Sequence, residues 1–148
     1  IENAKGEYVI IWDDDDYYDQ HRIELQLKTI LEKKVYACAL RRLLIFSEAY
    51  NEVRVSFNRD SGWEGSLMCK RDKIPLYKNQ NRYEDTPVIE KLFSDNNIVC
   101  IDNPDLYVYF FHDNNISTSF HKEELFNNCI ALSGQRNYQI KKIIGFFK

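Results

Sequence analysis

The sequence predicts an α/β domain in which a mixed sheet is flanked by helices. Three observations lead there. Residues 8–12 form an apolar run without alternation, which needs cover on both faces and so reads as a buried strand. Ile23, Leu27, Ile30 and Leu31 follow the spacing of an amphipathic helix. Further short apolar runs at 35–46, 53–57, 98–101 and 106–111 are interleaved with a second helical segment, as expected of strands and helices packed in layers.

The element order follows as β-α-β-β, a loop, then α-β-β-α. The first strand runs into Asp13-Asp14-Asp15-Asp16, so the carboxylates sit at its C-terminal end. Asp19 opens the first helix, where a negative charge suits the helix dipole. Residues 35–46, extending toward Ser47, read as one strand; Asn51-Glu52 is a turn, and 53–57 alternates as a half-buried strand. Residues 58–62 are loop. Thr86-Pro87 starts the second helix, with Thr as cap and Pro in the first helical position. Val88, Ile89, Leu92 and Phe93 supply its apolar face, and Asp95-Asn96-Asn97 ends it. Strands at 98–101 and 106–111 flank Asp102-Asn103-Pro104-Asp105. The tail, 119–148, reads as two helical pieces broken near Ser133-Gly134, an extension to a domain spanning 1–118.

At 148 residues the chain has the length of one domain and can bury about 68–70% of its unfolded surface. A net charge of −3 gives no basic footprint, so nucleic acid is not expected as a partner. Cys38, Cys69, Cys100 and Cys129 are too widely spaced for a zinc knuckle. They are expected to be reduced, which points to a cytoplasmic setting. No apolar run reaches the roughly 18 residues that a membrane span needs. Residues 140–148 mix bulky apolar side chains with lysines. Contact of this helix with the inner face of a membrane is one expectation; packing of Ile143, Ile144 and Phe147 on the domain is the favoured one.

Four adjacent carboxylates repel one another unless a cation neutralises them. Mg²⁺ and Mn²⁺ prefer such oxygen ligands, and in open α/β sheets ligands bind beyond the carboxyl ends of the strands. A solvated acidic loop is the plainer alternative. Asp85 stands just before a helix N-terminus, whose dipole favours the ionised carboxylate. Such a group can accept a proton or simply cap the helix. In Gly62-Trp63-Glu64-Gly65-Ser66-Leu67 the small residues allow close backbone approach, and the Trp can stack on the apolar face of a sugar. A turn with a core Trp is the equal alternative.

Asn3, Ala4-Lys5-Gly6-Glu7-Tyr8, the acidic run, and Arg22-Ile23 with Gln26 together resemble the family 2 glycosyltransferases of the GT-A fold. That pattern is an Asn, an Ala-x-Gly-Glu-Tyr, a strand, an Asp-x-Asp-Asp, and a helix opening with Arg-Ile or Arg-Leu and a Gln. Glu84-Asp85-Thr86 resembles the family's Glu-Asp catalytic motif, and His112-Asp113-Asn114-Asn115-Ile116-Ser117 its later His-x-x-Asn-x-Ser motif. The three blocks follow in the family's order.

The resemblance implies a partial GT-A fold, Rossmann-like, of the nucleotide-diphospho-sugar transferase kind. It implies inverting, metal-dependent transfer of a sugar from a nucleotide-diphosphate donor to a hydroxyl of a saccharide or glycoconjugate, as in polysaccharide synthesis. By this likeness Asp13 faces the ribose or supports the metal shell, and Asp15 ligates Mn²⁺ or Mg²⁺. Asp14 and Asp16 are the alternative pair, because all four positions are Asp. His112 completes the metal shell or touches the diphosphate. Asp85 is the base, with Glu84 as second choice, and Trp63 and Gly65 lie near the sugar and acceptor. There are two departures. Phe110 and Phe111 stand where the family usually has an Arg shortly before the His. The match also begins in the middle of the family fold, so the chain is expected to be the C-terminal portion of the catalytic domain, inactive alone. Apolar surface left uncovered would then favour a homodimer. A catalytically silent remnant or binding module is the alternative, and another metal-dependent phosphotransfer enzyme is a third.

Overall fold

The computed structural model describes residues 3–77, 85–112 and 119–145. Glu84 and the Asp113-Asn114-Asn115-Ile116-Ser117 part of the late motif lie outside the described residues, as does Phe147.

Two mixed sheets flanked by helices form the α/β architecture. The first contains β1 (Tyr8–Ile10), β3 (Ala37–Leu40), β6 (Met68–Lys70) and β7 (Ile98–Ile101), in the order β1-β6-β3-β7. The second contains β2 (Tyr17–Tyr18), β4 (Leu44–Ser47), β5 (Glu52–Val55), β8 (Tyr107–Phe111) and β9 (Ile130–Ala131), in the order β2-β8-β4-β5-β9. One parallel pair threads each sheet: β3 with β7, registered Ala37 to Ile98, and β4 with β8, registered Leu44 to Val108. The other pairings are antiparallel.

Alternation along β3 sends Cys38 to one face and Ala37 to the other. On the Cys38 side lies α1 (Arg22–Lys33), with Ile30 packed against Cys38 and Met68. On the Ala37 side lies α2 (Thr86–Ser94), whose Val88 and Leu92 meet Ala37, Leu67 and Cys69. The second sheet is covered on one face by Phe126 of α3 (Ser119–Asn127) and on the other by Ile140 of α4 (Gly134–Ile143). Ile144 packs with Ile140, while Ile143 stays half exposed. Among the described residues no helix is long and apolar enough to cross a membrane.

The structure departs from the sequence-based expectation at several points. The first strand is a short, half-buried edge strand that stops at Ile10, and Trp12 beyond it is 49% exposed. The run 35–46 is two strands, because Arg41 and Arg42 are drawn outward to carboxylates. Arg41 Nη1 lies 3.1 Å from Asp60 Oδ1, and Arg42 grips Asp102 at 2.8 and 2.7 Å. β2, β6 and β9 are too short, at two or three residues each, to leave a periodic signature. The expected inward face of α1 is rotated: Ile23 and Leu31 are exposed, while Arg22 and Gln26 are fully buried beside Ile30.

Candidate functional site

The acidic turn is stretched between the two sheets. At its start, Ile11 N donates to Leu67 O at 3.0 Å; at its end, Asp19 N donates to Leu106 O at 3.1 Å. Between them, Asp13 N donates to Tyr18 Oη at 2.9 Å. Asp16 is turned inward: Tyr107 Oη donates to Oδ2 at 2.6 Å and Phe110 N to Oδ1 at 2.8 Å. β2 pairs with β8 only at Tyr107 and Val108, so the Asp16 carboxylate takes over where strand pairing stops. Burial pushes the Asp16 carboxyl up to about 6, with the two hydrogen bonds opposing and the charges of Asp15 and Asp13 adding to the rise.

Asp13, Asp14 and Asp15 are exposed along the turn. The Asp13 carboxyl is raised, first by desolvation and then by its acidic neighbours, against the pull of Arg22. Asp15 meets the end of β8: His112 Nε2 lies 3.1 Å from Asp15 Oδ2 across 97 positions of sequence. Two of the residues expected at a metal are thus together, whereas Asp16 spends both oxygens on β8.

Sequence reasoning missed Arg22 as a site element. Its guanidinium is fully buried under the acidic turn, 4.4 Å from the Tyr18 ring centroid, 5.2 Å from Tyr107 and 5.4 Å from Trp12. It donates from Nε to Gln26 Oε1 at 3.1 Å and from Nη2 to Ile11 O and Gly65 O at 3.2 and 3.3 Å. Gln26 Nε2 continues the network to Cys38 O and Ser66 O at 3.0 and 2.8 Å. Among the described residues Nη1 has no hydrogen-bond partner, so the charge rests on the aromatic box and the nearby carboxylates. Trp12 was missed too. Its ring packs, tilted by 38°, on Tyr18 with centroids 4.1 Å apart, and it stays half exposed next to the acidic run.

Gly65 sits directly beneath, where a Cβ would come within 3.0 Å of Tyr107 Oη. Trp63 is no bare platform: Arg59 lies 5.0 Å over its ring and Phe57 packs at 5.1 Å. Asp85 is the N-cap residue of α2; its side chain makes no capping hydrogen bond, and its carbonyl accepts from Val88 N and Ile89 N at 3.1 and 3.2 Å. Thr86, next to it, donates to Glu64 Oε1 at 3.1 Å. A continuous chain of contacts therefore runs from the acidic turn through Arg22 and Gly65-Glu64 to Thr86 and Asp85.

Among the described residues no three His, Cys, Asp or Glu side chains form a ready-made metal cage. Mg²⁺ and Mn²⁺ in phosphate chemistry need less, since they keep waters and take substrate oxygens alongside one or two protein ligands. Asp15 with His112, and Asp13 on the same turn, fit that smaller donor set.

The family model described as Glycosyl transferase family 2 matches residues 1–93, from the approach to β1 through most of α2. No curated protein matches the chain.

Proposed function

The chain belongs to glycosyl transferase family 2, and on that premise we propose that it carries the metal and acceptor side of an inverting transferase site. The donor is a nucleotide-diphosphate sugar and the acceptor a hydroxyl of a saccharide or glycoconjugate. The observation that carries the reading is the Asp15–His112 pair, 3.1 Å apart and brought together across 97 positions of sequence. A divalent ion held there supplies charge neutralisation for a departing diphosphate. Asp13, on the same turn, faces the donor ribose. Arg22, beneath, holds the turn against β1 and Gly65 through its carbonyl contacts. Asp85, with a carboxylate not spent on capping, takes the acceptor proton as the acceptor oxygen attacks the anomeric carbon. A single displacement of this kind inverts configuration.

The free thiols support a cytoplasmic setting.

Calorimetric titration with MnCl₂ tests the metal assignment. Asp15→Asn and His112→Ala should each weaken binding by at least about tenfold, the scale on which ligand-shell changes act, while Asp14→Asn should change it little. Equal affinity in all the variants and the wild type would remove the assignment.

A further inference from the structure

We propose that Glu64 is a positioning residue that clamps the start of α2, and with it Asp85, to the Trp63 turn; this rests on Asp85 being the base. Both oxygens of Glu64 are engaged. Arg59 reaches them with a two-pronged grip, Nη1 to Oε2 at 2.6 Å and Nη2 to Oε1 at 2.8 Å. Oε1 also accepts from Thr86 Oγ1 at 3.1 Å. The pair is largely shielded, with side chains 17% and 28% exposed, so it lies outside the class of surface ion pairs that contribute almost nothing.

The foundation of the clamp is stiff. Glu64 sits in a short 3-10 turn, Glu64–Ser66, seated on β3 through Trp63 N to Leu40 O at 2.9 Å and Leu40 N to Ser66 Oγ at 2.8 Å. Arg59 also covers the Trp63 ring. From this base a single hydroxyl, that of Thr86, crosses to the residue next to Asp85. The Asp85 side chain makes no capping bond, so Glu64 supplies a side-chain tie to this helix start that the helix does not supply for itself. The two-pronged Arg59–Glu64 pair fixes the direction of the carboxylate as well as its distance, and so fixes the acceptor that Thr86 meets. Shifts of about 1 Å at a reacting group can change rates by around a hundredfold.

Carbon-13 NMR of the Asp85 carboxyl in the 148-residue chain tests the clamp. Thr86→Val keeps the shape and removes the donor, and Glu64→Gln removes the charge. Both should move the Asp85 carboxyl resonance and its titration midpoint, and Thr86→Ser should restore them. A merely structural role for Thr86 would leave the Asp85 titration where it was. An unmoved resonance in both Thr86→Val and Glu64→Gln, or no recovery in Thr86→Ser, overturns the clamp. Turnover of UDP-glucose by the intact enzyme with Asp85→Asn judges the base separately. Full turnover there with a shifted resonance in Thr86→Val removes the base and leaves the clamp.

Discussion

At the residue scale, the candidate base can be told apart from a helix cap. A lost capping side chain costs about 0.5–2 kcal/mol of stability. Asp85 makes no such bond, so Asp85→Asn should not carry that capping cost in urea unfolding. In an active enzyme the same change should lower kcat by about 10²–10⁴-fold, the usual weight of general base catalysis, with donor KM within a few fold. Arg22 should behave in the opposite way. Arg22→Met strands Ile11 O, Gly65 O and Gln26 Oε1 in a part-buried to buried site and should cost about 1–3 kcal/mol for a group left unsatisfied, read in urea unfolding. The carboxylates and His112 drew notice in the sequence because their residue types suggest chemistry, and what the structure adds is the Asp15–His112 contact. Arg22 was not: its carbonyl partners on Ile11 and Gly65 lie 11 and 43 positions away, and helix periodicity scores an Arg as outward-facing.

At the element scale, the legible parts were those with local signals. Thr86-Pro87 marked the start of α2 to within one residue, the cap being Asp85 and Thr86 the first helical position, and the apolar runs marked β7 and β8. The face of α1 was misjudged because the polar residues Arg22 and Gln26 are held inward by hydrogen bonds to distant loops, which no local pattern encodes. β6 was invisible for the same reason: three residues become a strand only because β1 and β3 flank them. The turn before β6 depends on Gly62, at φ +84°, where a Cβ would lie 2.5 Å from Ala39 Cβ and 3.1 Å from Cys100 Sγ. Gly62→Ala should therefore destabilise the chain by about 1–3 kcal/mol, the usual cost of overpacking, added to the backbone strain. Chemical denaturation measures it, and an unchanged midpoint would show that β3 yields at Ala39.

At the scale of the whole molecule, the four thiols give a pH signature. Burial raises Cys38 and Cys69 to about 12 and Cys100 and Cys129 to about 11, from an ordinary value of 9.0. Between pH 9 and those values the folded chain holds protons that the unfolded chain has released. The thiol contribution to stability should therefore be flat below about pH 8 and fall as pH rises from 9 toward 12, which urea midpoints at pH 8 and 10 would register. Native thiols should also resist iodoacetamide at pH 8 until the chain is denatured. The two parallel pairings carry a different consequence, one of timing. Ala37 waits for Ile98 and Leu44 for Val108, and such distant closures are slow steps in folding. Asp15 and His112, 97 positions apart, are brought together by the second of these closures, since His112 directly follows β8. During synthesis the acidic turn leaves the ribosome long before its imidazole, so a nascent or prematurely released chain lacks the assembled pair. The Asp15–His112 contact is thereby withheld until β8 has docked.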